Sequence, residues 1–396
     1  MVDNGRNALP RPPRRLPADA GSLTQLETPS RPSGPLPPPR GPWLFGRFLA
    51  GLIVLLVIVA GGAGAGWYLR QRTVRIDTDA VLKSAGPAVV RVLATTCAGS
   101  GEASGVLIDH GRVLTAASAV DQAMAIVVVA ADGRIRRANL LGTSTDGVAV
   151  LQSIGFDDAP LQLPEVAPER KAERALIGYT AAGRQVINPI GSEADPAALS
   201  QFMNMAKLGG PVVDKSGRLV GLVTGATVQA ATVVPLAKLR EYVAPAPSGI
   251  TVAAPGTCPD SRGPQGTMAP ELQVAKTPLA LEVQGLLTNY LTLQNKHDFT
   301  AVQALYSSQL AKSLTPARDR QSRGTAYFFN PRITALAPDG SYARMSYNVL
   351  FSPTAAGAGG GTCNRLDNRF TLVRSGGKLV INSAAKASDI VACETD

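Results

Sequence analysis

The stretch AKLGGPVVDKSGRLVGLVTG, residues 206–225, decides how the rest of the chain is read. Two apolar runs, GPVVDKSG and RLVGLVTG, meet across Lys215-Ser216-Gly217, so the stretch reads as a β-hairpin. Gly209, Gly210 and Pro211 stand at its start. The same grammar recurs on both sides. PAVVRVLA (87–94) is an apolar strand, and ASGVLID and RVLTAAS (103–118) join at His110-Gly111. AIVVVAAD and RIRRANLLG (125–142) join at Asp132-Gly133, and VAVLQSI (148–154) follows. ALIGYTAAG and RQVINPI (175–190) form a further hairpin, and AATVVP runs into a helix, LAKLREYV (236–243). Many short strands at this spacing predict an all-β barrel or sandwich over residues 78–243.

The 396 residues carry a formal net charge of +10, unevenly spread. Up to Arg72 there are nine Arg against Asp3, Asp19 and Glu27. The remainder holds too little excess charge for a nucleic-acid stripe, so no nucleic-acid partner is expected. Residues 48–69 are free of charge and contain FLAGLIVLLVIVA, and about 20 apolar residues span a bilayer as a helix. Trp43, Trp67 and Tyr68 stand where interfacial anchors belong. The Arg-rich side faces the cytoplasm, which places everything after the span outside the cell membrane. The alternative is a signal peptide cleaved near AGAG (63–66). The stretch before the apolar run is long for an ordinary n-region, which favours an uncleaved anchor.

Residues 1–47 form a Pro/Arg-rich cytoplasmic tail that prefers polyproline II. It offers PLPPPR (35–40) to a groove-bearing cytoplasmic partner, or its arginines to anionic lipid. Residues 244–278 are rich in breakers and read as a linker. Four cysteines allow three pairings. Proximity pairs Cys363 with Cys393 and leaves Cys97 with Cys258, as suits an oxidising compartment. With two His and no Cys-x-x-Cys, no metal site and no cofactor is expected.

The middle region resembles the trypsin-like fold of the high-temperature-requirement serine proteases and their actinobacterial membrane-anchored relatives. GRVLTAASAV is similar to the family's Gly-x-(Ile/Val)-Leu-Thr-Ala-Ala-His-Val-Val, and TDGVAVLQ to Thr-Asp-Leu-Ala-Val-Leu. Gly99-Ser100…Ser104-Gly105 resembles its opening Gly-Ser-Gly strand. ALIGYTAAG resembles the entry to the second barrel, and VVPLAKLREYV the closing strand and helix. Gly209-Gly210-Pro211 matches the end of Gly-Asn/Asp-Ser-Gly-Gly-Pro. The family fold is a double β-barrel, and its chemistry uses a Ser nucleophile, a His base and an Asp that orients the His. Carried over by position, the His place is Ser118, the Asp place is Gly147 with Asp146 one residue early, and the Ser place is Leu208. The resemblance therefore implies a degenerate triad and no catalytic residue. Ala206, Lys207, Leu208 and Gly209 would keep the residual oxyanion-hole turn. Neither His110, on a hairpin tip, nor His297, in another domain, suits the role of base. A Ser–Lys pair built from Ser200 and Lys207 is the other substitute, but adjacent residues such as Lys207 and Leu208 usually point apart, and Ser200 is not on the nucleophile turn.

Residues 279–396 read as an α+β domain. LALEVQGLLTNYLTLQNKHDF repeats apolar residues at helical spacing, AVQALYSSQLAKSL is a second, shorter helix, and an antiparallel meander follows. The order is similar to the nuclear-transport-factor-2-like cone fold, which holds a pocket between helix and curved sheet. Tyr327, Phe328, Phe329 and Tyr347 would line its core. Three functions follow. The first is a membrane-anchored extracytoplasmic pseudoprotease with a peptide or protein ligand in the β-domain cleft. The second is an active serine endopeptidase with atypical residues. The third is a small-ligand sensor acting through the C-terminal domain.

Overall fold

A computed structural model describes residues 76–109, 111–155, 159–166, 172–191, 206–227, 230–244 and 247–393. The tail and the charge-free stretch 48–69 lie outside the described residues. Among the described residues no helix is long and apolar enough to cross a membrane.

A short helix, α1 (Thr78–Ala85), is capped by Asp77, whose carboxylate accepts from the Asp79 and Ala80 amides. Six strands follow: β1 (Val89–Thr96), β2 (Glu102–Asp109), β3 (Arg112–Ala116), β4 (Ala123–Val129), β5 (Ile135–Ser144) and β6 (Val148–Ser153). A single helical turn, α2 (Ala117–Val120), separates β3 from β4. The sheet order β5-β4-β1-β2-β3-β6, with β5 also paired to β6, closes a six-strand barrel. Then come β7 (Arg174–Tyr179), β8 (Gln185–Gly191), β9 (Pro211–Asp214), β10 (Leu219–Ala226) and β11 (Ala231–Pro235). Among the described residues these make a five-stranded sheet in the order β11-β10-β9-β7-β8, with no closing pair. The predicted hairpin 206–225 is β9 and β10; Asp214 accepts from the Ser216 and Arg218 amides and fixes its turn. Helix α3 (Leu236–Val243) ends the β-domain.

Every residue of β1 is buried, and the reason is a second layer. Val90, Val92 and Ala94 point into the barrel core. Leu93, with Val127 and Val129 of β4, packs instead on Phe329, Leu350 and Cys363 of the C-terminal region. A strand covered on both faces reads as a continuous apolar run. Each such fully buried large side chain contributes about 1.5–3 kcal/mol.

The segment read as a linker runs along both domains. Its β12 (Ile250–Thr251) pairs with β5, and Arg262 bridges Thr96. Cys258 is joined to Cys97. Ser261 O accepts from the Tyr327 hydroxyl at 2.6 Å. Its end, β13 (Glu271–Leu272), lies parallel to the first strand of the C-terminal sheet.

In the C-terminal domain α4 (Pro278–Asn295) starts at the Thr277 cap and buries Val283, Leu287, Tyr290 and Leu291. The predicted second helix is broken. It is α5 (Phe299–Val302), a 3-10 turn and α6 (Ser308–Ser313), interrupted because Tyr306 leaves the helical path to bridge Ile381. A further helix, α7 (Pro316–Arg323), was not expected; Thr315 caps it and Pro316 opens it. The sheet is β14 (Tyr327–Leu336), β15 (Tyr342–Leu350), β16 (Cys363–Ser375) and β17 (Lys378–Lys386), antiparallel throughout. A short β18 (Val391–Ala392) returns to β16, where the Cys363–Cys393 disulfide holds it.

Candidate functional site

The 206–209 turn is fastened on both sides. The Ser104 amide donates to Leu208 O at 2.7 Å, Gly209 N to Val223 O at 2.7 Å and Lys207 N to Tyr179 O at 2.8 Å. The Ser104 hydroxyl donates to Lys207 O at 3.0 Å while accepting from the Tyr179 amide at 2.8 Å. Gly209 sits at φ +86°, and a Cβ there would lie 2.2 Å from Ser104 O; one on Gly210 would lie 2.4 Å from Ile177 O. No side chain fits at either place, so barrel packing alone demands the glycine pair. The Leu208 N–H has no acceptor among the described residues.

Ser118 lies exposed on α2, and Ala117 N donates to Gly147 O at 2.8 Å. Ser118 and Leu208 line one open cleft of about 860 Å³, together with Ala206, Lys207, Glu102 and Arg262. Gly147 and Asp146 are not in that lining. Gly147 holds a turn at φ +80°. The Asp146 carboxylate is engaged elsewhere, accepting a short hydrogen bond from the Tyr242 hydroxyl, and its backbone oxygen accepts from Thr224 Oγ1 at 3.0 Å. Burial first, and the Asp146 bond second, push the Tyr242 phenol above its ordinary value.

His110 lies outside the described residues. His297 is far from the role of base. Its Nε2 meets Ala326 O at 3.2 Å, and its ring packs on Phe299 and Tyr327 at 5.4 and 4.8 Å. Burial holds its pKa below the ordinary imidazole value. Ser200 lies outside the described residues, and the Lys207 ammonium is committed to Glu102 Oε2 at 3.1 Å. A free amine for a Ser–Lys pair is therefore not on offer.

The sequence reading missed the ion pairs that run from the interior to Glu102 in the cleft lining. Arg91 Nη2 meets Glu102 Oε1 at 2.7 Å, with both side chains 3% exposed, and also donates to Ala181 O at 2.9 Å. One Arg inside the apolar run VVRVLATT was the available signal, because a buried charge must find a partner. Arg262 was missed too. The segment carrying it reaches the cleft through two backbone bonds with Thr96, at 2.8 and 2.6 Å, and the nearby Cys97–Cys258 bridge.

The C-terminal domain holds a second, smaller cavity of about 300 Å³, lined by Arg323, Phe328, Tyr347, Phe351, Leu366 and Asn368. Behind it Arg323 Nη1 donates to the fully buried Asp319 Oδ1 at 2.6 Å, and Tyr306 donates to Asp319 Oδ2 at 3.2 Å. Burial raises the Asp319 pKa, and Arg323 opposes the rise. Gln294 Oε1 and Asn368 Oδ1 are buried with no partner among the described residues.

A closed six-strand barrel with a second β-sheet makes this a trypsin-like β-barrel domain. The family comparison agrees: residues 103–222 match the family of the trypsin-like peptidase domain. No curated protein sequence matches the chain. Among solved structures, the active form of the Rv3671c protease from M. tuberculosis is similar at 20% identity, over 46% of this chain and 92% of that one, with a TM-score of 0.36. An inactive form of Rv3671c protease is similar at 20% identity, over 41% and 93%, with a TM-score of 0.33.

Proposed function

We propose that the chain is a membrane-anchored, extracytoplasmic pseudoprotease, whose β-domain cleft binds peptides or proteins without hydrolysing them. The observation that carries the reading is the cleft lining itself. Ser118 and Leu208 face the cavity where a base and a nucleophile belong, and no imidazole is among the described residues that line it. Without base and nucleophile, the oxyanion turn and binding alone supply about 10³–10⁴-fold over water. A cleft still binds chain through backbone and pockets. The charge-free stretch 48–69 and the Arg-rich tail support the anchor, and two disulfides suit the outer side.

The test is a fluorophosphonate probe and a broad peptide-substrate library on the full-length chain, beside an active trypsin-like enzyme. No labelling and no cleavage are expected. Labelling at one Ser, abolished by its substitution with Ala, would establish the rival reading of a working endopeptidase with atypical residues.

The C-terminal cavity favours a second reading, a small-ligand sensor. Its wall combines Arg323 with the aromatic Phe328 and Tyr347, and the Asn368 carbonyl has no partner among the described residues. A fragment screen by thermal shift, repeated on Arg323→Ala, tests it; no stabilising fragment that depends on Arg323 would remove this reading.

A further inference from the structure

The cleft carries more positive charge than its one carboxylate answers. Glu102, the carboxylate in the lining, is already matched at Oε1 by the buried Arg91 outside the lining, and takes Lys207 at Oε2. Arg262 makes only a long contact, Nη1 to Ala98 O at 3.5 Å, and has no carboxylate partner among the described residues. Lys207, Arg262 and the turn whose Leu208 N–H has no acceptor among the described residues line the same cavity. An uncharged peptide running through would leave this excess unanswered. A second observation concerns shape. Leu208 places a branched apolar side chain, half-buried, where the family has a hydroxymethyl group. Part of it lines the cavity, where an apolar side chain of a bound peptide can meet it, and part packs against the core of the second sheet.

We infer that the cleft takes the free C-terminal carboxylate of a peptide. The carboxylate is received by the Leu208 N–H between Lys207 and Arg262, and the terminal side chain lies on Leu208. The inference rests on the peptide-binding reading above and names the end of the peptide that is read. Backbone amides at a tight turn are a known way to hold such a terminus, and charge-assisted bonds make it stronger than a neutral one.

The experiment uses the full-length chain in detergent micelles and three pools of fluorescein-labelled random hexapeptides, read by anisotropy. One pool ends in a free carboxylate and one in a carboxamide. The third is amidated with an Asp fixed within it. The free-acid pool is expected to bind at least about 10-fold more tightly than the amide, the value of a hydrogen bond to a charged group. Arg262→Gln, at an exposed side chain, is expected to weaken the acid pool several-fold and to narrow its advantage over the amide pool. Equal binding of acid and amide would overturn the inference and leave peptide binding standing. Equal binding of the free-acid and Asp-containing pools would also overturn it, by assigning the cleft to acidic side chains. Binding of no pool would overturn both readings.

Discussion

The glycine pair at 209–210 meets one demand, and its neighbour Leu208, which shares a cleft lining with Ser118, meets another. Gly209 and Gly210 stand where two strands close on the turn, and neighbouring carbonyl oxygens leave no room for a Cβ. Ser118 and Leu208 face an open cleft, where many side chains fit. Steric constraint holds the first pair in place whatever the protein does, while only chemistry would hold the second. A fold landmark is therefore no evidence by itself of the reaction it is usually taken to announce.

The sharpest way to break this contrast is Gly209→Ala. It combines a left-handed backbone with a 2.2 Å clash, and a loss of about 4 kcal/mol in urea unfolding is expected. A loss under 1 kcal/mol would mean that packing does not demand the glycine.

Glu102→Ala comes next, because it leaves Arg91 buried without its acid. A loss of about 3–5 kcal/mol is expected, with Glu102→Gln less severe. The same denaturation series measures both, and equal losses would count against an ionic cause.

A smaller effect tests His297 as a core residue. Burial depresses its folded pKa, so the unfolded chain binds the extra proton as pH falls. Its contribution is complete above about pH 6.5 and is lost on going lower. The melting temperature is expected to drop between about pH 7 and 5, and less so in His297→Asn, which tolerates the residue's positive φ. An unchanged slope would take His297 out of the acid response.

The smallest effect is expected from rebuilding the chemistry. Leu208→Ser with Ser118→His should yield no detectable peptide hydrolysis, because the Asp146 carboxylate is held by Tyr242 and Gly147 has no side chain to orient an imidazole. Adding Tyr242→Phe sharpens the point. Activity that appears only then would show that the misdirected acid was the last obstacle.

The strands and turns were legible because local rules suffice for them. Lys215-Ser216-Gly217 and Asp132-Gly133 form the turns their residue types dictate. Helix α7 escaped notice because it is strongly polar, with no apolar stripe to give a period. The break at Tyr306 is a tertiary decision, made by a bridge to Ile381 some seventy-five residues away in the chain. The site divided the same way. Ser118 and Leu208 were placed by motif register, whereas Arg262 enters the cleft only through a disulfide and two backbone bonds to Thr96. No pattern near residue 262 announces that journey.

The Cys97–Cys258 bridge has a practical consequence. It encloses almost the whole β-domain in one covalent ring. A protease that nicks any loop between residues 98 and 257 leaves two pieces that still travel as one molecule until a reductant is added. A single band on a non-reducing gel is therefore no proof of an uncut chain, and fragment sizes after reduction are what would reveal a clipped loop.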